Sequence, residues 1–416
     1  MDRSRSPIAI DKIVLLAALY LSQGLPFGFF TQALPVMMRK EHASLEAIGL
    51  TSLLALPWAL KFLWAPIVDR LYWPGIGRRR SWILPLQALT AAALFLLALA
   101  EPQGASRLLV ISFFLMNLLA ATQDIATDGL AVDLLDEHER GWANGVQVAG
   151  YRLGMVIGGG ALLVLYEDIG WRGVFLSMGV IVALASLPVL LKREPPHTEH
   201  PSLAGAANAK IPHFLRRKGA WQVIFVISVF KLGESFASAM IKPFLADRGL
   251  GLSDIGWLIG TVGFVGGLIG ALVGGAVSGV SGRRRALLLF GTIQIVAVAS
   301  YALLAHVELP RQAYAVVIGL EHLGVGTATA ALFTAMMDFC DVRTSATDYT
   351  VQASAVVIAT GAASSASGFI ASRFGYATHF DIATVVAALA LLPVIFAWPR
   401  KPEVEPAALN TSSPPP

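Results

Sequence analysis

Blocks of roughly twenty apolar residues recur along the whole chain, separated by short clusters of charge, proline and glycine. A helix rises about 1.5 Å per residue, so each block can cross a hydrocarbon core ~30 Å thick. Inside a bilayer every backbone polar group must be satisfied by the segment itself or its neighbours, which leaves helices or a closed barrel. Blocks this long, without strict alternation, select helices. Composition agrees: of 416 residues 56% are hydrophobic and only 14% charged, with a mean hydropathy of +0.66. Soluble domains carry about a quarter charged residues. The expected fold is therefore all-α and membrane-spanning.

The blocks predict spans near 13–38, 46–66, 82–100, 108–135, 143–166 and 174–191. After a polar stretch from Lys192 to Lys218 six more follow, near 219–245, 253–277, 286–304, 313–339, 345–372 and 377–398. This divides the chain into an N-terminal six-helix bundle (1–191), a cytoplasmic linker (192–218), a C-terminal six-helix bundle (219–398) and a cytoplasmic tail (399–416). The first block exceeds a signal-peptide core and lacks a small-residue cleavage site, so it is expected to remain as a span. With the N-terminus inside, twenty Lys and Arg fall in cytoplasmic segments and seven on the opposite side, which puts both termini in the cytoplasm. Lys61, Arg152, Lys231 and Lys242 fall within spans.

Other classes are disfavoured. Cys340 is the only cysteine, so no intrachain disulfide or thiolate cluster can form. His197 and His200 stand in a proline-rich loop, and nothing in the pattern calls for a metal or a cofactor. A net charge of +4 does not point to nucleic acid. No ATP-binding loop is present, and no nucleophile and histidine–acid set recurs at one membrane face, so a membrane enzyme is not expected.

The halves repeat. Arg78-Arg79-Arg80 follows the second span and Arg283-Arg284-Arg285 the eighth, 205 residues on; the same offset carries Gln147 to Gln352, each preceded by Val. Two parallel six-helix repeats around a midplane site resemble the major facilitator superfamily. Ala65-Pro66-Ile67-Val68-Asp69-Arg70 with Gly77-Arg78-Arg79-Arg80 is similar to its gate signature between helices 2 and 3, with Ala65 for the usual Gly and a longer spacing. By that resemblance Asp69, Arg70, Arg78, Arg79 and Arg80 lock neighbouring cytoplasmic ends. The segments Gln23-Gly24-Leu25-Pro26, Lys61–Arg70, Gln123-Asp124-Ile125-Ala126-Thr127-Asp128-Gly129 and Gly150-Tyr151-Arg152-Leu153-Gly154 resemble the AmpG-like permeases, which include muropeptide importers and siderophore importers of the rhizobactin and pyochelin type. The compact length resembles the siderophore branch.

A charge at mid-membrane costs about 2.5–3.5 kcal/mol on insertion scales, so intramembrane ionisable residues are functional candidates. Asp124 and Asp128 share one face of the fourth span with Asn117 and suit a proton carrier. Lys61 and Arg152 are their natural counter-charges, although Arg152 could equally hold an anionic substrate. In the second half Lys231 and Glu234 stand at i, i+3 and can neutralise each other. Glu321 and His322 are adjacent, so they point about 100° apart and one of them is expected to face the cavity; His322 is a relay candidate. Asp338 and Asp341 read as lying at the cytoplasmic end. Tyr20, Gln23, Phe27 and Phe30 form a stripe on the first span that either lines a cavity or packs, with Gly24 and Gly28 beside it for close helix approach. Gln147, Tyr151 and Gln352 add cavity candidates.

The expectation is a secondary transporter of the bacterial inner membrane, acting as a monomer on a small solute and a proton by alternating access. The expected cargo is a siderophore or its iron complex; a muropeptide is the alternative, and efflux a further one.

Overall fold

The structure, a computed structural model, describes residues 9–34, 56–99, 107–192, 194 and 211–398. The first half of the second expected span, most of the linker and the tail beyond Trp398 lie outside the described residues. Helical segments stand where the spans were expected: α1 (Ile10–Ala33), α2 (56–70, in pieces), α3 (Arg80–Leu99), α4 (Arg107–Leu134), α5 (Arg140–Tyr166), α6 (Asp168–Leu191), α7 (Ala220–Asp247), α8 (Asp254–Ser281), α9 (Arg283–His306) and α10 (Arg311–Asp338). The helix Ser345–Phe396 bends at Gly375 into α11 (345–374) and α12 (376–396). Among the described residues, nine helices are long and apolar enough to cross a membrane, the last of them covering both α11 and α12.

Glycine brings helices together where backbones must nearly touch. A Cβ on Gly24 would fall on the carbonyl of Tyr151, and one on Gly158 on that of Leu25, so α1 and α5 pack backbone to backbone as the sequence predicts. The α8 stripe of Gly266, Gly270 and Gly274 does the same against Gly319, Leu323 and Thr327 of α10. On its other side Gly275 meets Gly141 of α5, where a Cβ would lie 2.5 Å from the Gly141 carbonyl oxygen. The halves also meet where α10 packs on α5 and where α2 and α4 pack on α11. One apolar cluster runs across the boundary, from Leu16 and Tyr20 to Met336 and Tyr349.

The repeat extends to backbone conformation. Gly170 (φ 61°) bends the chain at the start of α6, just after α5, and Gly375 (φ 78°), 205 residues on, turns α11 into α12. Gly77 (φ 117°) and Gly282 (φ 81°), again 205 apart, precede α3 and α9. Positive φ disfavours any side chain with a Cβ.

Two of the spans are interrupted at a lysine. α2 tightens into a 3₁₀ turn over Lys61–Leu63 between the helices Leu56–Leu60 and Ala65–Arg70. α7 breaks at Lys231 (φ −97°, ψ 0°), between Ala220–Phe230 and Leu232–Asp247. Each interruption carries an intramembrane lysine.

Candidate functional site

At the end of the bundle that carries the arginine triplets, charged residues tie the halves together. Asp69, closing α2, accepts from Arg78 and Arg79 (both 2.8 Å) and, across the boundary, from the backbone N–H and hydroxyl of Thr347 (2.7 and 2.6 Å) in the first turn of α11. Such first-turn N–H groups have no partner within their own helix. Arg79 also donates to Asp133 (2.8 Å) and Ser345 (2.7 Å), and Arg78 to the carbonyls of Val342 and Arg343. Burial opposes the charge of Arg79, yet Asp133 and Asp69 outweigh it and hold the guanidinium above the ordinary arginine range. In the second half Arg283 donates to Asp338 (2.7 Å), which also accepts from Arg140 of α5 (2.9 Å). The gate residues read from the sequence are thus brought together, with Arg80 turned instead to the carbonyl of Leu190 (3.1 Å) and Arg70 ending α2. Asp133, Arg140, Ser345 and Thr347 were not read as gate residues. Glu194 caps α3, accepting from the N–H groups of Arg79 and Arg80 (2.9 and 2.6 Å).

The first-half centre is built around Lys61. Its ammonium donates to Asp124 and lies 3.9 Å from Asp128, and all three are buried. Tyr20 donates to the other Asp128 oxygen (2.7 Å). Above them Trp58, which the sequence reading missed, places its ring 5.5 Å from the Lys61 ammonium and donates to Asn117 (3.2 Å). Phe27 meets Trp58 edge-on at 5.4 Å and Tyr151 at 5.8 Å, so α1, α2 and α5 each supply one ring to a partly exposed corner.

The helix 1 stripe does not act as one wall. Tyr20 belongs to Asp128, and Gln23 is 1% exposed with neither amide atom partnered among the described residues. Phe30 is claimed by packing against Phe29 and Phe113, leaving Phe27 at the corner. Gln352 is likewise fully buried, donating to the carbonyls of Met336 and Asp348 (both 3.2 Å), and Gln147 is 6% exposed. These two are packed between helices.

The second-half centre joins Lys231, Glu234, Ser238, Glu321 and His322. Lys231 pairs with Glu234 (2.8 Å) and donates to Thr329 (3.3 Å). The Ser238 hydroxyl stands 3.2 Å from Glu234 and 2.8 Å from Glu321, between the two carboxylates. Glu321 and His322 do not diverge as their adjacency suggested, because the imidazole turns back so that Nδ1 lies 2.8 Å from Glu321 and 3.0 Å from the Ile318 carbonyl.

Arg152 corrects a second expectation. It does not approach Asp124 or Asp128. Successive helix residues point about 100° apart; Tyr151 faces Phe27, so Arg152 turns toward the other half, against Gly267 of α8, where Glu321 and Glu234 act on its charge.

A bundle of this topology, tied at one end by arginine–carboxylate pairs and carrying a buried ionic centre in each half, has the architecture of a membrane transporter. The Major Facilitator Superfamily model matches residues 16–362, and the chain belongs to that superfamily, in its AmpG-like permease group. It is 31% identical to the anhydromuropeptide permease of Escherichia coli over 91% of this chain and 79% of that one. It is 25% identical to the putative transporter AmpG 4 of Rickettsia felis, over 92% and 95%. The human organic anion transporter MFSD10 shares the fold, with a TM-score of 0.73 at 13% identity over 94% of this chain and all of that one. The Rickettsia relative is matched over nearly its whole length, so compactness does not separate a siderophore branch. The relatives favour the muropeptide alternative.

Proposed function

We propose that this chain is a proton-coupled importer of an anhydromuropeptide-type solute, a sugar-bearing peptide, in the bacterial inner membrane. The observation that carries the coupling is the charge count around Lys61, where one ammonium serves two buried carboxylates. A second carboxylate charge left unmatched at that depth is costly, and a proton shared by Asp124 and Asp128 balances it. Releasing that proton to the other side of the membrane restores the excess charge, which ties the protonation cycle to the resting geometry of α2 and α4.

The cargo reading is supported by the relatives and by the corner of Phe27, Trp58 and Tyr151. Aromatic faces beside one amide, Asn117, suit the C–H face of a sugar ring held by few directed hydrogen bonds. In alternating access the two bundles, 1–191 and 219–398, rock as units while the arginine–carboxylate end opens and closes. By the distribution of Lys and Arg that end is cytoplasmic, so the conformation described is closed toward the cytoplasm. One chain contains both halves of the site, and a monomer suffices.

Reconstituted protein with radiolabelled anhydromuropeptide and an imposed inward proton gradient tests both parts. Uptake above equilibrium, abolished by an uncoupler, is expected. Folded protein that takes up none of the solute overturns the cargo reading, and uphill uptake indifferent to the uncoupler overturns the coupling.

A further inference from the structure

Lys61 and Lys231 each hold a carboxylate, but Arg152 has no ion-pair or hydrogen-bond partner among the described residues. A guanidinium offers five N–H donors and is costly to leave unsatisfied where water is scarce. The surroundings keep this one open. Gly267 has no side chain where the guanidinium lies, and a Cβ there would collide with it. Glu321 and Glu234 act on its charge from across the boundary, yet both are committed to nearer partners, Glu321 to His322 and Ser238, Glu234 to Lys231. The side chain is partly exposed, and the residue before it, Tyr151, belongs to the aromatic corner.

A planar fork of donors between the halves, on the residue that follows Tyr151 of the aromatic corner, matches a carboxylate held by two parallel hydrogen bonds. The two acids nearby disfavour a dianion such as phosphate more than a singly charged group. We propose that Arg152 receives a peptide carboxylate of the transported solute, while the rings of Phe27, Trp58 and Tyr151 receive its sugar end. This assignment rests on the cargo reading above, deepens it to named contacts, and makes the free carboxylate a requirement for recognition. Because Arg152 comes from the first half and Gly267 from the second, a carboxylate seated there also lies on the boundary that moves.

Binding to purified protein in nanodiscs is measured with an anhydromuropeptide and with the same compound amidated at its peptide carboxylates. The acid is expected to bind at least tenfold more tightly. Arg152→Gln should erase that preference and leave the amide's affinity unchanged. Gly267→Ala, which keeps the charge but displaces the fork, should do the same. Thermal melts confirm that each variant is folded. In parallel, phenylglyoxal labelling of Arg152 is read by mass spectrometry with acetyl-alanyl-alanine and its amide as protectants; the acid alone should protect. If neither muropeptide form binds but the dipeptide acid protects Arg152, the cargo reading falls and the carboxylate receptor stands. Equal binding of acid and amide by the native protein, persistence of the preference in Arg152→Gln, or absence of protection overturns the proposal.

Discussion

Asp133 and Asp338, 205 residues apart, occupy the same place in the two halves and are bound in the same way. Each accepts from an arginine of its own half, Arg79 or Arg283, and from a residue of the other half, Ser345 for Asp133 and Arg140 for Asp338. Ser345 and Arg140 are themselves 205 apart. The seal is therefore reciprocal, and so are the bonds of Arg78 to the Val342 carbonyl and of Arg283 to the Glu137 carbonyl, whereas Asp69–Thr347 occurs on one side only, Gly274 standing 205 residues after Asp69.

That asymmetry makes Asp69 the place to loosen the seal. Asp69→Asn removes a charge shared by Arg78, Arg79 and the start of α11, and hydrogen bonds to charged groups contribute about 1.5–3 kcal/mol each. The closed state should lose at least about 1.4 kcal/mol, a tenfold shift in population. Cys340, the only cysteine and close to this end, is the natural reporter: its rate of maleimide labelling should rise about tenfold in Asp69→Asn with the melting temperature nearly unchanged.

Lys61→Met leaves two buried carboxylates without their cation. Breaking a buried pair in this way costs about 3–5 kcal/mol, so the variant should be poorly folded, with a sharply lowered Tm in detergent. Adding Asp124→Asn should recover most of that loss while accumulation of solute stays absent. A double variant no more stable than the single one would mean that Lys61 acts through packing.

In Asp128→Asn the charge is removed and the shape kept, which imitates the protonated carboxyl. Preloaded proteoliposomes should still exchange labelled for unlabelled solute, while net uptake against a gradient falls to background.

The turns at Gly170 and Gly375 have backbone angles close to glycine-only territory. Alanine at either should cost about 1–3 kcal/mol, and since nothing lies within 4 Å of the added Cβ the whole effect is conformational. Calorimetry should find similar reductions in Tm for the two variants, whereas Gly160→Ala, in open space at negative φ, should leave Tm within a degree or two.

Fusions ending after Lys218 and after Arg400 should report a cytoplasmic position with either a cytoplasmic or a periplasm-dependent reporter. Periplasmic activity at either point would reverse the orientation.

Span positions were readable because bilayer thickness dictates the length of each apolar block and charge punctuates it. The duplication was readable from the arginine triplets, and the same offset applied to Asp133 or to Gly170 would have found the reciprocal seal and the second turn. Pairings were not readable in this way. Spacing on one helix says which residues share a face, but the partner of Arg152 depends on how α5 is rotated by its contact with α1, and the Glu321–His322 contact depends on a rotamer. Phe30 was drawn from the stripe into packing because Phe113 and Phe29 supply a better-matched surface. Trp58 had no charge or periodicity to mark it.

The interruptions at Lys61 and Lys231 place each half's buried cation at a joint in a rod. A rod bends where its internal bonding is already broken, so the two segments on either side of each lysine can change their angle without tearing a helix. The cation at the pivot is also what the neighbouring acids grip. Loading or unloading those acids therefore stiffens or frees the joint directly, and the chemical event and the mechanical one need no long relay between them.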